Sequence, residues 1–543
     1  MPTVTLNKSV FEKLMGKKLT LEQLKDRIAM LGTDVEKIEG NEIHVEIFPN
    51  RPDLLSEQGL ARAMASFLGI RRGLRTYAIT KGKQQVLIDK NLKDIRPYTV
   101  CAIVRGLKLD DEKIRTLIQI QEKLHTTFCR NRKKSAIGVY PLEHITLPIH
   151  FKACKPSEIR FRPLDMDRTM TAGELLELHP KGKEFGHLLH GLSRYPVFVD
   201  ATGEVLSVPP IINSEHVGRV TTETTAVFVE FSGFDFPHLS IGLNILCAAL
   251  ADMGGKIESM ELVYPDKKIR TPDFTPRKMK LDLGYITKRL GISLTEQQVT
   301  KLLACMGYGY AKGHALIPAY RADVLHQVDL AEDIAIAYGY ENFKECMPNI
   351  GTFGQQDQRE VLKQKISQIL TGVGMLEVNT YHLIDRAAQT TALLRNSTPI
   401  EILDPVSLEY NTLRETMLAP LLEVLKQNRR SAYPQKIFEC GAVFERGKTE
   451  TGVREHHQIA AVFADNKADY TLAQQHVDYC LRMLAVPYTL HAASVPPFIE
   501  GRAAEIRIRG KIVGMVGEFH PQVISTAGLE MPICGFWMEL DAL

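Results

Sequence analysis

Apolar residues recur at helical spacing in a few well-bounded stretches and alternate with polar ones in many others. The chain therefore reads as amphipathic helices mixed with half-buried strands. Leu21, Leu24, Ile28 and Leu31 line one face of a helix that stops at Gly32, where glycine closes the last turn without steric cost. The alternation Glu42-Ile43-His44-Val45-Glu46-Ile47 predicts a strand leading into the corner Asn50-Arg51-Pro52-Asp53. Pro52 holds Arg51 extended, and Asp53 or Ser56 is placed to cap a helix bearing Leu60, Ala63, Met64 and Phe67. The corner is either a strand-to-helix turn or a partner contact through Asn50 and Arg51. Asp110 and Asp111 open a helix with Ile114, Leu117, Ile118, Gln121 and Leu124 on one face, only Gln121 of them polar. Strand-like runs follow at 195–200, 204–208 and 225–232, with an ordered turn at Pro209-Pro210-Ile211-Ile212-Asn213-Ser214. The apolar stretch from Leu239 to Ala251, interrupted by Ser240, Gly242 and Asn244, reads as a core helix.

Pro265, Pro272 and Pro276 mark a linker, after which a helix, helix, short-strand pattern begins. Thr295 and Gln298 form a capping box there, and Gly307, Gly309 and Gly313 break the helical pattern. A second linker at 348–358 precedes a helix with Leu362, Ile366, Ile369 and Leu370, ended by Gly372 and Gly374. Runs at 377–382, 435–440 and 457–463 then predict an antiparallel sheet flanked by helices. The expected fold class is α+β and multidomain. It comprises an N-terminal mixed domain over 1–90, a β-rich domain over 91–268, a winged-helix-like domain over 269–347, and an antiparallel sheet with helices over 352–543.

Composition sharpens this. A chain of 543 residues exceeds one core, and 44% hydrophobic content supports several. With 67 basic against 64 acidic residues the net charge is only +3, which excludes a polybasic wrapping protein but permits local patches. One such patch, Arg130-Asn131-Arg132-Lys133-Lys134, is a solvated loop or a phosphate contact. Nine scattered cysteines without a CxxC pair argue for reduced thiols, a cytoplasmic location and no structural zinc. No signal-peptide pattern opens the chain, and no stretch approaches the ~20 apolar residues of a membrane span. Phosphate-loop, HExxH and GxSxG signatures are missing. His456-His457 and the pair His187 and His190 lack ligand-spaced partners and read as ordinary histidines.

The sharpest chemical signal is acidic. Asp329, Glu332 and Asp333 share a helix edge at i, i+3 and i+4, beside an apolar arc of Leu330, Ile334, Ala337 and Tyr338. Asp323 follows the extended Pro318-Ala319-Tyr320 and can turn back over the same helix end. Four hard oxygen donors spaced to converge suit Mg²⁺. The alternative is that the acids cap and complement a helix N-terminus.

Taken in order, several motifs resemble the phenylalanine–tRNA ligase β-subunit family in its shorter archaeal and eukaryotic form. They are Asn50-Arg51-Pro52-Asp53-Leu54-Leu55-Ser56, the Pro-x-Tyr-Arg-x-Asp run from Pro318 to Asp323, and Asp329-Leu330-x-Glu332-Asp333 leading into Tyr338-Gly339-Tyr340. Leu413-Arg414, Phe438-Glu439-Cys440-Gly441 and Gly501-Arg502-Ala503-Ala504 complete the set. The resemblance implies that Asp323, Asp329, Glu332 and Asp333 coordinate Mg²⁺ as a structural brace. It also implies that 91–268 is a tRNA-editing domain that hydrolyses tyrosine mistakenly attached to tRNA(Phe), with Ser207, Asn213, Glu230 and Ser232 as candidate pocket residues. An apolar pocket rejects an extra hydroxyl only weakly, which is why a second sieve is needed. The segment 352–543 resembles a degenerate class II synthetase-like domain, in which Ile437-Phe438-Glu439 supplies no phosphate-gripping arginine. ATP would then be bound mainly by an α subunit within an (αβ)₂ heterotetramer acting on tRNA(Phe), away from any membrane. Two rivals remain. A free-standing winged-helix nucleic-acid-binding protein requires a recognition helix rich in Arg and Lys, whereas the carboxylate helix is acidic. A self-contained Mg²⁺-dependent hydrolase requires a substrate cleft at Asp323 and Asp329.

Overall fold

The structure, a computed structural model, describes residues 2–543 and divides into two compact units, 1–347 and 348–543. In the first unit the strands Thr3–Asn7, Glu42–Glu46 and Asp34–Glu39 form a small antiparallel sheet in that spatial order. Thr20 caps the helix Leu21–Met30 with the reciprocal bonds of a capping box, and Gly32 follows it at φ +92°. Ser56 accepts from the Gly59 amide at 3.0 Å and starts the helix Glu57–Phe67.

A ten-stranded sheet dominates the unit. Its main path runs Ile212–Asn213, Val205–Val208, Tyr195–Val199, Ile149–Cys154, Ile79–Ile88, Lys256–Val263, Tyr98–Arg105, Ala226–Gly233 and Ser135–Pro141, with Lys268–Thr271 added onto Lys256–Val263. All pairs are antiparallel except those of Ile79–Ile88, which lies parallel to both its neighbours. The sheet thus begins before residue 90 and recruits part of the proline-marked linker. The helix Phe236–Asp252 is buried nearly all round, as its apolar composition requires. Beyond it, the strands Arg277–Lys280, His314–Ile317 and Gly309–Ala311 form a three-stranded sheet accompanied by the helices Leu283–Leu290, Glu296–Cys305 and Gln327–Tyr338.

One hydrophobic cluster runs from Val4 to Ile334 and a second, smaller one gathers Ile159, Phe161, Leu175, Val197 and Val208, so most of residues 1–347 share a core. A polar seam accompanies it. Arg51 forks onto Asp53 through two 2.9 Å bonds, both residues buried, so the corner is the strand-to-helix turn and Arg51 faces inward rather than toward a partner. The Arg62 guanidinium stacks 4.3 Å from the centre of the Tyr320 ring, and the Asn244 amide donates to the Ala319 carbonyl at 3.2 Å. The Asn-Arg-Pro-Asp turn, the core helix and the Tyr-Arg-x-Asp run are therefore neighbours.

The second unit is built on a seven-stranded sheet in the order Leu376–Glu377, Gln435–Arg446, Val453–Ala464, Ile533–Glu539, Lys511–Phe519, Phe498–Ile508 and Thr489–Ala492. All pairs but the first are antiparallel. The helices Gln358–Gly372 and Tyr470–Met483 cover one face, and Leu418–Gln427 and Pro521–Thr526 the other. The strand expected over 377–382 stops at Glu377, because Thr380 turns its amide and hydroxyl onto the Glu439 carboxylate at 3.2 and 2.6 Å. Arg414 is fully buried beside it and donates to Glu439 (3.1 Å), Thr380 Oγ1 (2.8 Å) and the Ala442 carbonyl (2.7 Å). Among the described residues no helix is long and apolar enough to cross a membrane.

Candidate functional site

The pairing of Ala226–Gly233 with Ser135–Pro141 places Glu230 opposite Gly138, and the missing side chain there leaves room beside the carboxyl group. A cavity of about 560 Å³ opens at this point, within the usual range for ligand pockets. Its apolar wall is the helix Asp111–Thr126, through Ile114, Leu117 and Ile118, with Gln121 among them. This is the face that periodicity marks as core; Ile118 is 56% exposed because the face borders a cavity instead of protein.

Ser207, Asn213 and Glu230 all line the same cavity. Behind them the Tyr140 hydroxyl donates to Ser207 Oγ at 2.8 Å and lies 3.3 Å from Glu230 Oε1. Glu230 Oε2 is buried without a protein partner. Burial pushes the Glu230 pKa up to about 8, against the opposing pull of Arg96 and of the Tyr140 and Ser232 hydroxyls, which favours the protonated form at neutral pH. A neutral acid with a buried, unpartnered oxygen is a hydrogen-bonding group without a customer. Ser232 does not line the cavity: Arg96 takes its hydroxyl at 3.0 Å and its carbonyl at 2.6 Å. Its place two residues beyond Glu230 puts it on the same strand face, but Arg96 fills the space in front of it.

His125 and Arg132 also reach the cavity. His125 Nε2 accepts from the Ile137 amide at 2.9 Å, which assigns the ring proton to Nδ1, and burial together with Arg132 holds the imidazole neutral. Arg130, Asn131 and Arg132 are three consecutive residues at φ +51°, +50° and +63°. This left-handed run turns Arg132 inward, where it donates to the Ile211 carbonyl at 2.7 Å and ties down the pocket's proline turn. The basic run is thus divided: Arg130 and Lys133 are exposed, and Arg132 is structural.

The four carboxylates near 323–333 do not converge on one point. Arg321 is buried between Asp323, which it grips through both oxygens at 2.8 and 2.6 Å, and Asp333, at 2.8 Å. Tyr308 also donates to Asp333. Asp329 accepts from the Leu325 and His326 amides at 2.7 and 2.8 Å, the capping role, and Glu332 accepts from the Tyr340 hydroxyl at 2.6 Å. A protein cation therefore stands where the spacing argument placed a metal. Among the described residues no three His, Cys, Asp or Glu side chains are grouped to hold one.

Comparisons with known proteins match three segments of the chain. Residues 1–70 match the Phe-tRNA synthetase beta subunit B1 domain, 279–340 the tRNA synthetase B5 domain, and 344–541 the phenylalanyl tRNA synthetase beta chain CLM domain. The chain is 38% identical to the phenylalanine–tRNA ligase beta subunit of Archaeoglobus fulgidus over 550 residues, covering 100% of this chain and 98% of that one. It is also 38% identical to the Thermococcus sibiricus beta subunit over 547 residues, 99% of this chain and 98% of the relative. A crystal structure of an N-terminal fragment of the Pyrococcus horikoshii phenylalanyl-tRNA synthetase β-subunit shares 40% identity and superposes with a TM-score of 0.60, covering 62% of this chain and 99% of the fragment. Identity sustained from end to end in both partners of each alignment leads to one conclusion: the chain belongs to the phenylalanine–tRNA ligase β-subunit family.

Proposed function

We propose that this chain works with an α subunit in an (αβ)₂ ligase that attaches phenylalanine to tRNA(Phe) at the expense of ATP, and that its own cavity hydrolyses tyrosine mistakenly attached to that tRNA. The observation that carries the editing reading is Glu230, buried with one carboxyl oxygen unpartnered, beside Ser207 in a cavity whose Asp111–Thr126 wall is largely apolar. A tyrosyl ring entering along Ile114, Leu117 and Ile118 brings a hydroxyl to Glu230 Oε2, whereas a phenylalanyl ring leaves that group buried and unpaired. Binding is therefore selective for the product that needs removal. Tyr140 contributes by fixing both Ser207 and Glu230 from behind, and Arg132 by fixing the turn that carries Asn213. The test is deacylation of Tyr-tRNA(Phe) by the αβ complex. Glu230→Ala is expected to slow it by about tenfold or more while Phe-tRNA(Phe) synthesis continues; unchanged deacylation removes Glu230 from the site.

The C-terminal unit supports the assignment of ATP chemistry to the α subunit. Its one deeply buried arginine in this region, Arg414, is consumed by Glu439 and backbone carbonyls and is not available to grip phosphate. The chain alone is expected to make no Phe-tRNA(Phe), and adding the α subunit should restore synthesis.

Magnesium belongs to the proposal in a restricted form. Arg321 already neutralises Asp323 and Asp333, so the four-carboxylate set does not fit a naked ion. Asp329 and Glu332, at i and i+3 on the more exposed side of the helix, suit a hydrated Mg²⁺ that keeps most of its waters. Replacing both with Ala should abolish Mn²⁺-induced relaxation of nearby nuclei; unaltered relaxation leaves Asp329 as a helix cap and Glu332 as the partner of Tyr340. The rival winged-helix DNA-binding reading would be favoured instead by a stable chain that binds duplex DNA sequence-specifically without an α subunit.

A further inference from the structure

A second cavity, of about 200 Å³, lies along the helix Glu57–Phe67, from Gln58 to Ser66, beside the C-terminal end of Phe236–Asp252. Charge distinguishes it: Arg62, Arg71 and Arg75 line it against a single acid, Asp252. Arg62 is only 9% exposed and is anchored on two sides, donating to Asp252 at 2.5 Å and to the Tyr77 hydroxyl at 3.0 Å. Its second terminal nitrogen, Nη2, is buried with no protein partner, as is Oε1 of the neighbouring Gln58, itself 5% exposed. Arg75 touches Asp252 only loosely, at 3.9 Å, and Arg71 forms no ion pair among the described residues. Three guanidinium groups against one carboxylate leave two positive charges in surplus. The C-terminus of Phe236–Asp252 supplies about half a negative charge, which offsets only part of that surplus and leaves the cavity positive.

We propose that this cavity binds a phosphate group. Guanidinium groups grip tetrahedral oxyanions through paired, charge-assisted bonds, and here one of them is held ready by Asp252, Tyr77 and the Tyr320 ring. Arg71 and Arg75, the more exposed pair, meet the ligand from the solvent side, and Arg62 meets it from within. Gln58 completes the site, its amide turned so that Nε2 donates or left so that Oε1 accepts a protonated phosphate oxygen. The volume admits a phosphate with a few waters and excludes a nucleoside. Its source is either a free phosphate ion or a backbone phosphate of the tRNA.

The αβ complex decides this. Inorganic phosphate titrated calorimetrically at constant ionic strength should bind with one site per β chain, and Arg71→Gln combined with Arg75→Gln should weaken it by about tenfold or more. Both residues are partly exposed, so the variant should melt with the wild type. Phenylglyoxal labelling mapped by mass spectrometry identifies the source. Protection of Arg71 and Arg75 by inorganic phosphate means the free ion. Protection by tRNA(Phe) alone, with a shallower salt dependence of tRNA affinity in the double variant, means a backbone phosphate. Protection by neither, or equal binding by the double variant, overturns the proposal.

Discussion

Glu230 shows how one buried acid records the character of its pocket. Its folded pKa of about 8 exceeds that of the unfolded chain, about 4.5, so the sign of its linkage is fixed. Its contribution to stability is fully present below about pH 4.5, declines as the unfolded state alone releases the proton, and is lost once pH passes the folded value. Glu230→Gln should therefore gain stability relative to wild type across pH 5 to 8, by a few kcal/mol at most given the nearby Arg96. Melting temperatures of the two proteins along that range test it, and a constant difference would contradict it. Arg414 is the opposite case, a buried charge fully met. Arg414→Ala strands Glu439 without a cation and should cost roughly 3–5 kcal/mol, read by denaturant unfolding of the C-terminal unit.

At the scale of elements, the helix Asp111–Thr126 separates what periodicity reveals from what it hides. The spacing of Ile114, Leu117, Ile118 and Gln121 marks one side of the helix, on which Leu117 is buried while Ile118 opens onto the cavity. Whether protein or ligand covers that side depends on a proline turn about 90 residues later, and no local pattern carries that information. Gln121 alone among apolar neighbours was the available clue. Since Ile118 is half exposed, Ile118→Ala should change stability by about 0.5 kcal/mol or less while raising KM for Tyr-tRNA(Phe) deacylation several-fold; equal losses of stability and editing would mark it as ordinary core. On the acidic helix the i, i+3, i+4 geometry was equally legible. Arg321 was in plain view within the motif, yet sequence spacing does not say whether the counter-charge of Asp323 and Asp333 comes from the chain or from solvent.

At the scale of the molecule, motifs that stand far apart in sequence become neighbours in space. The Asn-Arg-Pro-Asp corner and the Tyr-Arg-x-Asp run share a buried polar seam, which is why segments with separate local signatures share one core in residues 1–347. Composition shifts and prolines suggested boundaries near 90 and 268, but the ten-stranded sheet takes in Ile79–Ile88 and Lys268–Thr271, long-range packing to which local patterns are blind. The strand Ile79–Ile88 carries a further consequence. Both its partners run parallel to it and lie downstream, at Ile149–Cys154 and Lys256–Val263, so no hairpin can shelter it as it leaves the ribosome. At ordinary translation speeds it waits roughly ten to thirty seconds for Lys256–Val263 to emerge. During that interval its unpaired edges are open to other chains. A chain truncated after residue 250 should aggregate when expressed, whereas one ending at residue 347 should remain soluble, as centrifugation of lysates would show. Synthesis of this subunit is thus timed by its slowest closing pair, and a holding chaperone has the most to offer during the passage from residue 88 to residue 263.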